Sequence, residues 1–455
     1  MTEIWRAASC PEEAGVSSKG LLQYLDAVKE SGLEHHSILV LRNGVLACKM
    51  NFAPYDDQTP HMLFSLSKSF TAAAAGFAVQ EGLLKWDDRV LDILPEDAPQ
   101  DPSDALKSIT LHHLLCMGSG LKPESDEVGG EHWAKAILAC GCDHAPGAHF
   151  HYNSHGTYLV SKMVQKAAGM NIRDYLMPRL FEPLGIPKPK WDTCPEGVCA
   201  GGWGLWLSSE SILRFGLCLL QKGVWQGKQV LPEEWLEKAT KAQIDNSNGA
   251  PDPNNEWAQG YGYQFWRTRG NRYRGDGMYG QICMISPDLN MAVAVTAGIE
   301  DMGKEMQLLH EYLFPAAEMA PGTQEEQAAL KARLAALAYS WPEDDGTGTD
   351  VRGVYENDGM TLEIGDRDGD MEWRLRWKDG DRCECILKKG EPLKSQGGRF
   401  MGAYGWQNGE MRVLGRWLDA PFTLHGVCAF EGNQLRLTLR GPGFTQEPCI
   451  LTKQA

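Results

Sequence analysis

Two short stretches place a serine and a lysine three residues apart: Ser65-Leu66-Ser67-Lys68 and Ser119-Gly120-Leu121-Lys122. On a helix that interval sets both side chains on one face, one turn apart, so the amine reaches the hydroxyl. A serine hydroxyl is a poor nucleophile until a base takes its proton. Lysine serves as that base only when burial or a neighbouring cation depresses its pKa. The first pair opens an alanine-rich run, Phe70-Thr71-Ala72-Ala73-Ala74-Ala75-Gly76-Phe77-Ala78-Val79, that carries no charge. A helix apolar on nearly all faces belongs at the centre of a domain, so burial is what this one offers Lys68. Its N-terminus also directs free N–H groups and a positive dipole end toward an oxyanion forming beside Ser65. The competing reading is an N-cap serine followed by a lysine that reaches solvent. The second pair flanks Gly120 and precedes Pro123, which predicts a loop out of helical register. His151 and His155 suggest a Ser–His pair, but no Gly-Xaa-Ser-Xaa-Gly elbow accompanies them.

The elements that must hold Ser65 and Lys68 follow from periodicity. Leu21, Leu22, Leu25 and Val28 predict a helix over residues 17–31, and Asn43-Gly44 between two β-rich runs predicts a hairpin. Residues 65–82 read as the buried helix, and helical patterns continue to about residue 240. Strands return at Gln281-Ile282-Cys283-Met284-Ile285 and Met291-Ala292-Val293-Ala294-Val295, followed by a helix over residues 302–313. Strands at both ends with helices between them imply one shared sheet and a helical lobe, an α+β layout for residues 1–318. Residues 319–349, with Pro321-Gly322, a short helix and Pro342, read as a linker that few contacts cross. Residues 350–455 alternate in short strands with turn signals and predict a barrel of about eight strands.

Composition narrows the function. A formal net charge of -16 argues against a phosphate-tracking surface, so no nucleic-acid partner is expected. Met1-Thr2-Glu3-Ile4-Trp5-Arg6 shows no leader pattern, and no run of about 18 apolar residues exists to enter a membrane. Thirteen scattered cysteines fit a reducing compartment, which predicts a cytoplasmic, bacterial protein. The close pairs Cys140/Cys142, Cys194/Cys199 and Cys383/Cys385 lack zinc-site spacing, and neither metal nor organic cofactor is expected.

The run from His61 to Pro95, with Thr110-Leu111-His112-His113-Leu114-Leu115-Cys116-Met117-Gly118-Ser119-Gly120 and Ala200-Gly201-Gly202-Trp203-Gly204-Leu205-Trp206, resembles the β-lactamase-related serine hydrolases. These include class C β-lactamases, D-Ala-D-Ala carboxypeptidases, family VIII esterases and 6-aminohexanoate-dimer hydrolases. The resemblance runs from about residue 10 to 315 and implies the penicillin-recognising fold with Ser65 as nucleophile and Lys68 as base. It implies that Tyr152, in Tyr152-Asn153-Ser154, shares a proton with Lys68 and delivers it to the leaving group. Ser154 stands where the family has asparagine, so a hydroxyl replaces a carboxamide in contact with substrate. Gly275, in Gly275-Asp276-Gly277-Met278, stands where β-lactamases carry a lysine that helps hold a substrate carboxylate. Arg272 or Arg274 are candidates to replace it. The N–H groups of Ser65 and Met278 are the implied oxyanion donors, Gly277 is with Ser154 an implied substrate-binding residue, and Trp203, Trp257 and Tyr263 are candidate pocket walls or core aromatics.

The expected activity is therefore hydrolysis of a small amide, ester or short peptide through an acyl-serine. Acyl transfer from the same intermediate is the nearest alternative, and a sensor that kept the fold without the chemistry is the second. Oligomeric state is not legible.

Overall fold

The Asn43-Gly44 signal is met by a tight turn whose two residues take φ 53° and 74°, the left-handed region that asparagine and glycine accept most readily. The structure, a computed structural model, describes residues 5–124 and 130–454. Residues 1–4 of the N-terminal stretch read above lie outside the described residues.

Among the described residues, seven strands form the first sheet: β1 (Arg6–Ala7), β2 (His35–Arg42), β3 (Val45–Asn51), β4 (Trp266–Thr268), β5 (Arg272–Gly277), β6 (Gln281–Ser286) and β7 (Met291–Ala297). Their order is β1-β3-β2-β7-β6-β5-β4. The two ends of the unit meet where β2 pairs antiparallel with β7, Ile38 opposite Val295 and Val40 opposite Val293. This is the shared sheet that the strand positions imply.

Alternation then divides the side chains between two layers. Ile38, Val40, Ile282, Met284, Val293 and Val295 pack with α1 (Ser18–Ser31) and the helix Met302–Leu308. Leu39, Leu41, Cys283, Ile285, Ala292 and Ala294 pack on the other face with α2 (Ser67–Gln80), α3 (Ser154–Ala168) and α4 (Ser209–Leu220). Helix α2 is buried along nearly its whole length, as its composition requires. Its Phe70 ring stacks on Phe215 at 4.3 Å and on Phe181 at 6.1 Å. Phe70→Ala is expected to cost about 3–5 kcal/mol of stability. A denaturant titration showing less than about 1 kcal/mol would mean that this layer is not close-packed.

The C-terminal strands are β8 (Gly353–Glu356), β9 (Met360–Arg367), β10 (Asp370–Trp377), β11 (Arg382–Lys389), β12 (Phe400–Gln407), β13 (Glu410–Trp417), β14 (Thr423–Glu431), β15 (Gln434–Gly441) and β16 (Phe444–Lys453). These nine close into a barrel, one strand more than the turn spacing suggested. The extra strand has a consequence in parity. An odd number of up-and-down strands cannot close with antiparallel pairs alone, and the ring is sealed by a parallel pairing, Lys388 opposite Ala403 and Lys389 opposite Tyr404. A short strand, Leu393–Lys394, reverses the chain between β11 and β12 and makes that geometry possible.

The segment read as a loosely attached linker is instead packed. Its helix α5 (Gln324–Ala335), opened by a Thr323/Glu326 capping box, buries Leu330 in the layer that holds α1. The Tyr339 hydroxyl donates to the His35 carbonyl at 2.8 Å. The barrel is also tied to the sheet through Glu34. Its Oε1 accepts from Arg416 Nη1 at 2.7 Å, Thr423 Oγ1 at 2.6 Å and the Tyr55 hydroxyl at 3.1 Å. Burial alone would raise this carboxyl, but contacts with His36, Arg416 and Thr423 outweigh it and hold the group at about 2.

Candidate active site

The chain enters α2 through a 3-10 turn, Phe64–Leu66, and the α-helix proper starts at Ser67. Ser65 therefore sits in the tighter turn just before the helix rather than inside it. Phe64 is held at φ 48°, an uncommon conformation for an aromatic residue, which only a fixed environment sustains. Lys68, in the first turn of α2, is 1% exposed and its Nζ lies 2.9 Å from Ser65 Oγ. The same Nζ donates to Ser154 Oγ at 3.0 Å and to the Gly202 carbonyl at 2.8 Å, so three acceptors aim the amine. Burial pushes Lys68 down to about 7, against the pull of the Glu124 and Asp276 carboxylates, which favour its charged form. A lysine in this state supplies a neutral amine near neutral pH.

Asn153 caps α3 by accepting from the Gly156 N–H at 2.9 Å, which brings Tyr152 and Ser154 to α2. The Lys68 ammonium position lies 4.7 Å from the centre of the Tyr152 ring. The ring itself is clamped: Trp266 stacks on it at 5.3 Å and 15°, and Tyr261 meets it edge-on at 6.4 Å. Burial, with the Asp276 charge beside it, pushes the Tyr152 phenol well above its usual range, while a hydrogen bond with Ser65 acts the other way. Tyr152 thus keeps its proton unless a base shares it. Ser154, expected as a substrate contact, has its hydroxyl on Lys68 and its N–H on the Glu124 carboxylate.

Strand β5 closes the far side. A Cβ on Gly277 would stand 2.0 Å from the Leu63 carbonyl oxygen and 3.1 Å from the Leu66 nitrogen, so only glycine lets β5 lie against the turn that carries Ser65. Met278 follows directly on this close approach, and the Gln281 side chain fixes the bend by donating to the carbonyls of Met278, Tyr279 and Ala297. At Gly275 a Cβ would meet Ser69 Oγ at 2.4 Å and Leu66 Cδ1 at 2.6 Å. The position has no room for the lysine that β-lactamases place there. Gly275→Lys is expected to lose about 1–3 kcal/mol of stability without gaining hydrolysis of carboxylate-bearing lactams. A thermal melt with a nitrocefin assay checks both parts.

Neither arginine replaces that lysine. Arg274 is 0% exposed and donates to Asp276 Oδ2 at 2.9 Å and the Glu256 carbonyl at 3.2 Å. Arg272 is engaged with Ser286, the Arg269 carbonyl and His310. Tyr263 is a core residue, 1% exposed, with its hydroxyl 2.7 Å from His112 Nδ1 and its ring on Trp86. Trp257 packs beneath the Arg274 guanidinium, 5.1 Å from it, and half-buried Trp203 stacks on Trp133 beside Gly202. Ser119, the alternative nucleophile, lies in a loop with its hydroxyl accepting from the Leu121 N–H. Asp276, Glu124, Gln281 and the Trp266/Tyr261 clamp were not anticipated. The only signal for Asp276 was a carboxylate inside Gly275-Asp276-Gly277-Met278, and nothing local marked the others.

An antiparallel sheet backed by a buried helix, with serine, lysine and tyrosine converging where the helix begins, defines a protein of the penicillin-recognising serine hydrolase class. Residues 29–318 match the Beta-lactamase family, and the chain belongs to it. It is 27% identical over 195 residues to penicillin-binding protein 4 of Amycolatopsis lactamdurans, a match covering 35% of this chain. The chain spans 61% and 50% of the length of two curated relatives it matches. Among solved structures, SurE is 19% identical with a TM-score of 0.54, covering 98% of this chain and 99% of SurE. EstCE1, a hydrolase with promiscuous acyltransferase activity, is 16% identical with a TM-score of 0.52, covering 66% of this chain and 98% of that one. The likeness to SurE takes in the barrel as well as the sheet. Among the described residues no helix is long and apolar enough to cross a membrane.

Proposed function

We propose that this chain hydrolyses small amides, esters or short peptides through an acyl-enzyme at Ser65. The observation that carries the reading is the buried Lys68 amine, 2.9 Å from Ser65 Oγ and depressed to about 7. Neutral Lys68 takes the Ser65 proton as Oγ attacks the acyl carbonyl carbon. The carbonyl oxygen becomes an oxyanion and is stabilised by the N–H groups of Ser65 and Met278. As the tetrahedral species collapses, Tyr152 gives its proton to the departing nitrogen or oxygen and regains one from Lys68. Water then attacks the acyl-serine, losing its proton to the same Lys68/Tyr152 pair, and Ser65 recovers its hydrogen. No step calls on a metal or an organic cofactor.

Residues 1–318 carry this chemistry, and the barrel of residues 350–455 borders it. The substrate lacks any requirement for a carboxylate, since Gly275 has no room for a cation and Arg274 is committed to Asp276. Thirteen free thiols support a reducing compartment, in keeping with a cytoplasmic enzyme. A second reading, transfer of the acyl group to an amine or alcohol, draws on the likeness to EstCE1. Purified protein screened against short acyl esters, N-acyl amines and D- and L-peptides tests the first reading. Product ratios with and without added acceptor separate it from the second. Absence of turnover across that panel, with no covalent labelling of Ser65, would overturn both.

A further inference from the structure

The turn that carries the nucleophile and the bend after β5 each present an aromatic ring beside the reacting centre. Phe64 precedes Ser65, Tyr279 follows Met278, and both hold a left-handed backbone, φ 48° and 65°. Their rings meet edge-on at 5.4 Å. A third ring arrives from the barrel: Phe422, before β14, lies 6.5 Å from Phe64 and 6.2 Å from Tyr279, edge-on to Phe64. All three are half-buried, and Met278 beside them is 56% exposed, an unusual exposure for a large apolar side chain.

The barrel loop that delivers Phe422 is fixed at several points. The Met62 N–H donates to the Asp419 carbonyl at 2.9 Å, and the Trp417 N–H to the Phe422 carbonyl at 3.0 Å. The Pro421 carbonyl lies so near Gly298 that a Cβ there would stand 2.6 Å from it. A second barrel turn pins Tyr279, because a Cβ on Gly443 would fall 2.2 Å from its hydroxyl, and the Gly443 N–H donates to Glu300 at 2.6 Å.

Position along β5 assigns the side of the scissile bond. Trp266, paired with Arg274 in the first half of the strand, clamps Tyr152, the donor to the leaving group. The aromatic trio lies past the other end, beyond Met278, and so faces the acyl portion. We propose that Phe422, with Phe64, Tyr279 and Met278, forms a subsite for an apolar side chain on the acyl group, so that the barrel sets acyl specificity. This inference rests on the catalytic reading of Ser65.

The test compares p-nitrophenyl acetate with p-nitrophenyl 4-phenylbutyrate on the full-length protein and on Phe422→Ala and Phe422→Leu. In the alanine variant kcat/KM is expected to fall about tenfold or more for phenylbutyrate and less than about twofold for acetate. The leucine variant, which keeps an apolar wall, should recover most of the phenylbutyrate loss. Equal losses for both esters, no loss for either, or a loss that follows the alcohol in a series of acetate esters would overturn the subsite. Acetate turnover and fluorophosphonate labelling of Ser65 in the unaltered protein isolate that outcome from failure of the catalytic reading. If both are absent, the subsite falls with it.

Discussion

Replacing Ser65 by alanine is expected to reduce kcat by about four to six orders of magnitude while leaving the melting temperature within a few degrees of the parent. The size of the effect follows from the role. Without Oγ no acyl bond can form, and Lys68 and Tyr152 are left with no group to activate. The small structural effect follows from the surroundings. Ser65 is only partly buried, and Lys68 keeps its bonds to Ser154 Oγ and the Gly202 carbonyl when Oγ is removed. A fluorophosphonate should label the parent at Ser65 alone and the variant nowhere, as read by peptide mass spectrometry. Label on Ser119, or activity in the variant within tenfold of the parent, would assign the chemistry elsewhere.

The second large effect is on pH. Lys68 is held at about 7 chiefly by burial, and it acts as a base only when neutral. The neutral fraction rises as pH climbs through 7, so acylation should increase about tenfold per unit below that point and level off above it. At pH 5 the rate should be about one hundredth of its plateau. The opposing carboxylates sharpen the test. Removing one charge by Glu124→Gln takes away an influence that favours the ammonium and should move the acid limb to lower pH. Pre-steady-state acylation measured from pH 5 to 9 reads both effects. A limb centred in the carboxylate range, or a flat profile, would remove Lys68 from the role of base.

The layered sheet was legible because its signals are local. An Asn-Gly turn, an uncharged alanine-rich run and two apolar strands each fix one element, and the β2–β7 pairing follows from their placement at the two ends. The serine, lysine and tyrosine were legible for a similar reason: Ser65 and Lys68 are neighbours in sequence, and Tyr152 lies in a motif the family shares. What escaped was decided by distant packing. Tyr263 sits among glycines that could have lined a pocket, yet His112 and Trp86, far away in the chain, draw it into the core. Arg274 reads as a candidate to replace the missing lysine until Asp276, Glu256 and Trp257 enclose it. The linker looked loose because proline and glycine flank it, whereas Leu330 and Tyr339 anchor it through side chains whose partners lie about 300 residues away. Turn spacing gives the barrel about eight strands where it has nine, and a strand as short as β8, Gly353–Glu356, makes no separate alternating run.

The shortest pairings of the barrel set where it yields. Most of its ribbons are held over six to eight residue pairs, as in β9 with β10 and β12 with β13, whereas two junctions rest on two each, the parallel one and β8 with β16. Amide protons at these two junctions, of Lys388, Lys389, Ala403 and Tyr404 and of Tyr355 and Glu356, should therefore exchange ahead of those midway along β13 and β14. Phe422 lies between β13 and β14, away from both. The cylinder can gape on one side while the ring it lends to the reacting centre stays in register.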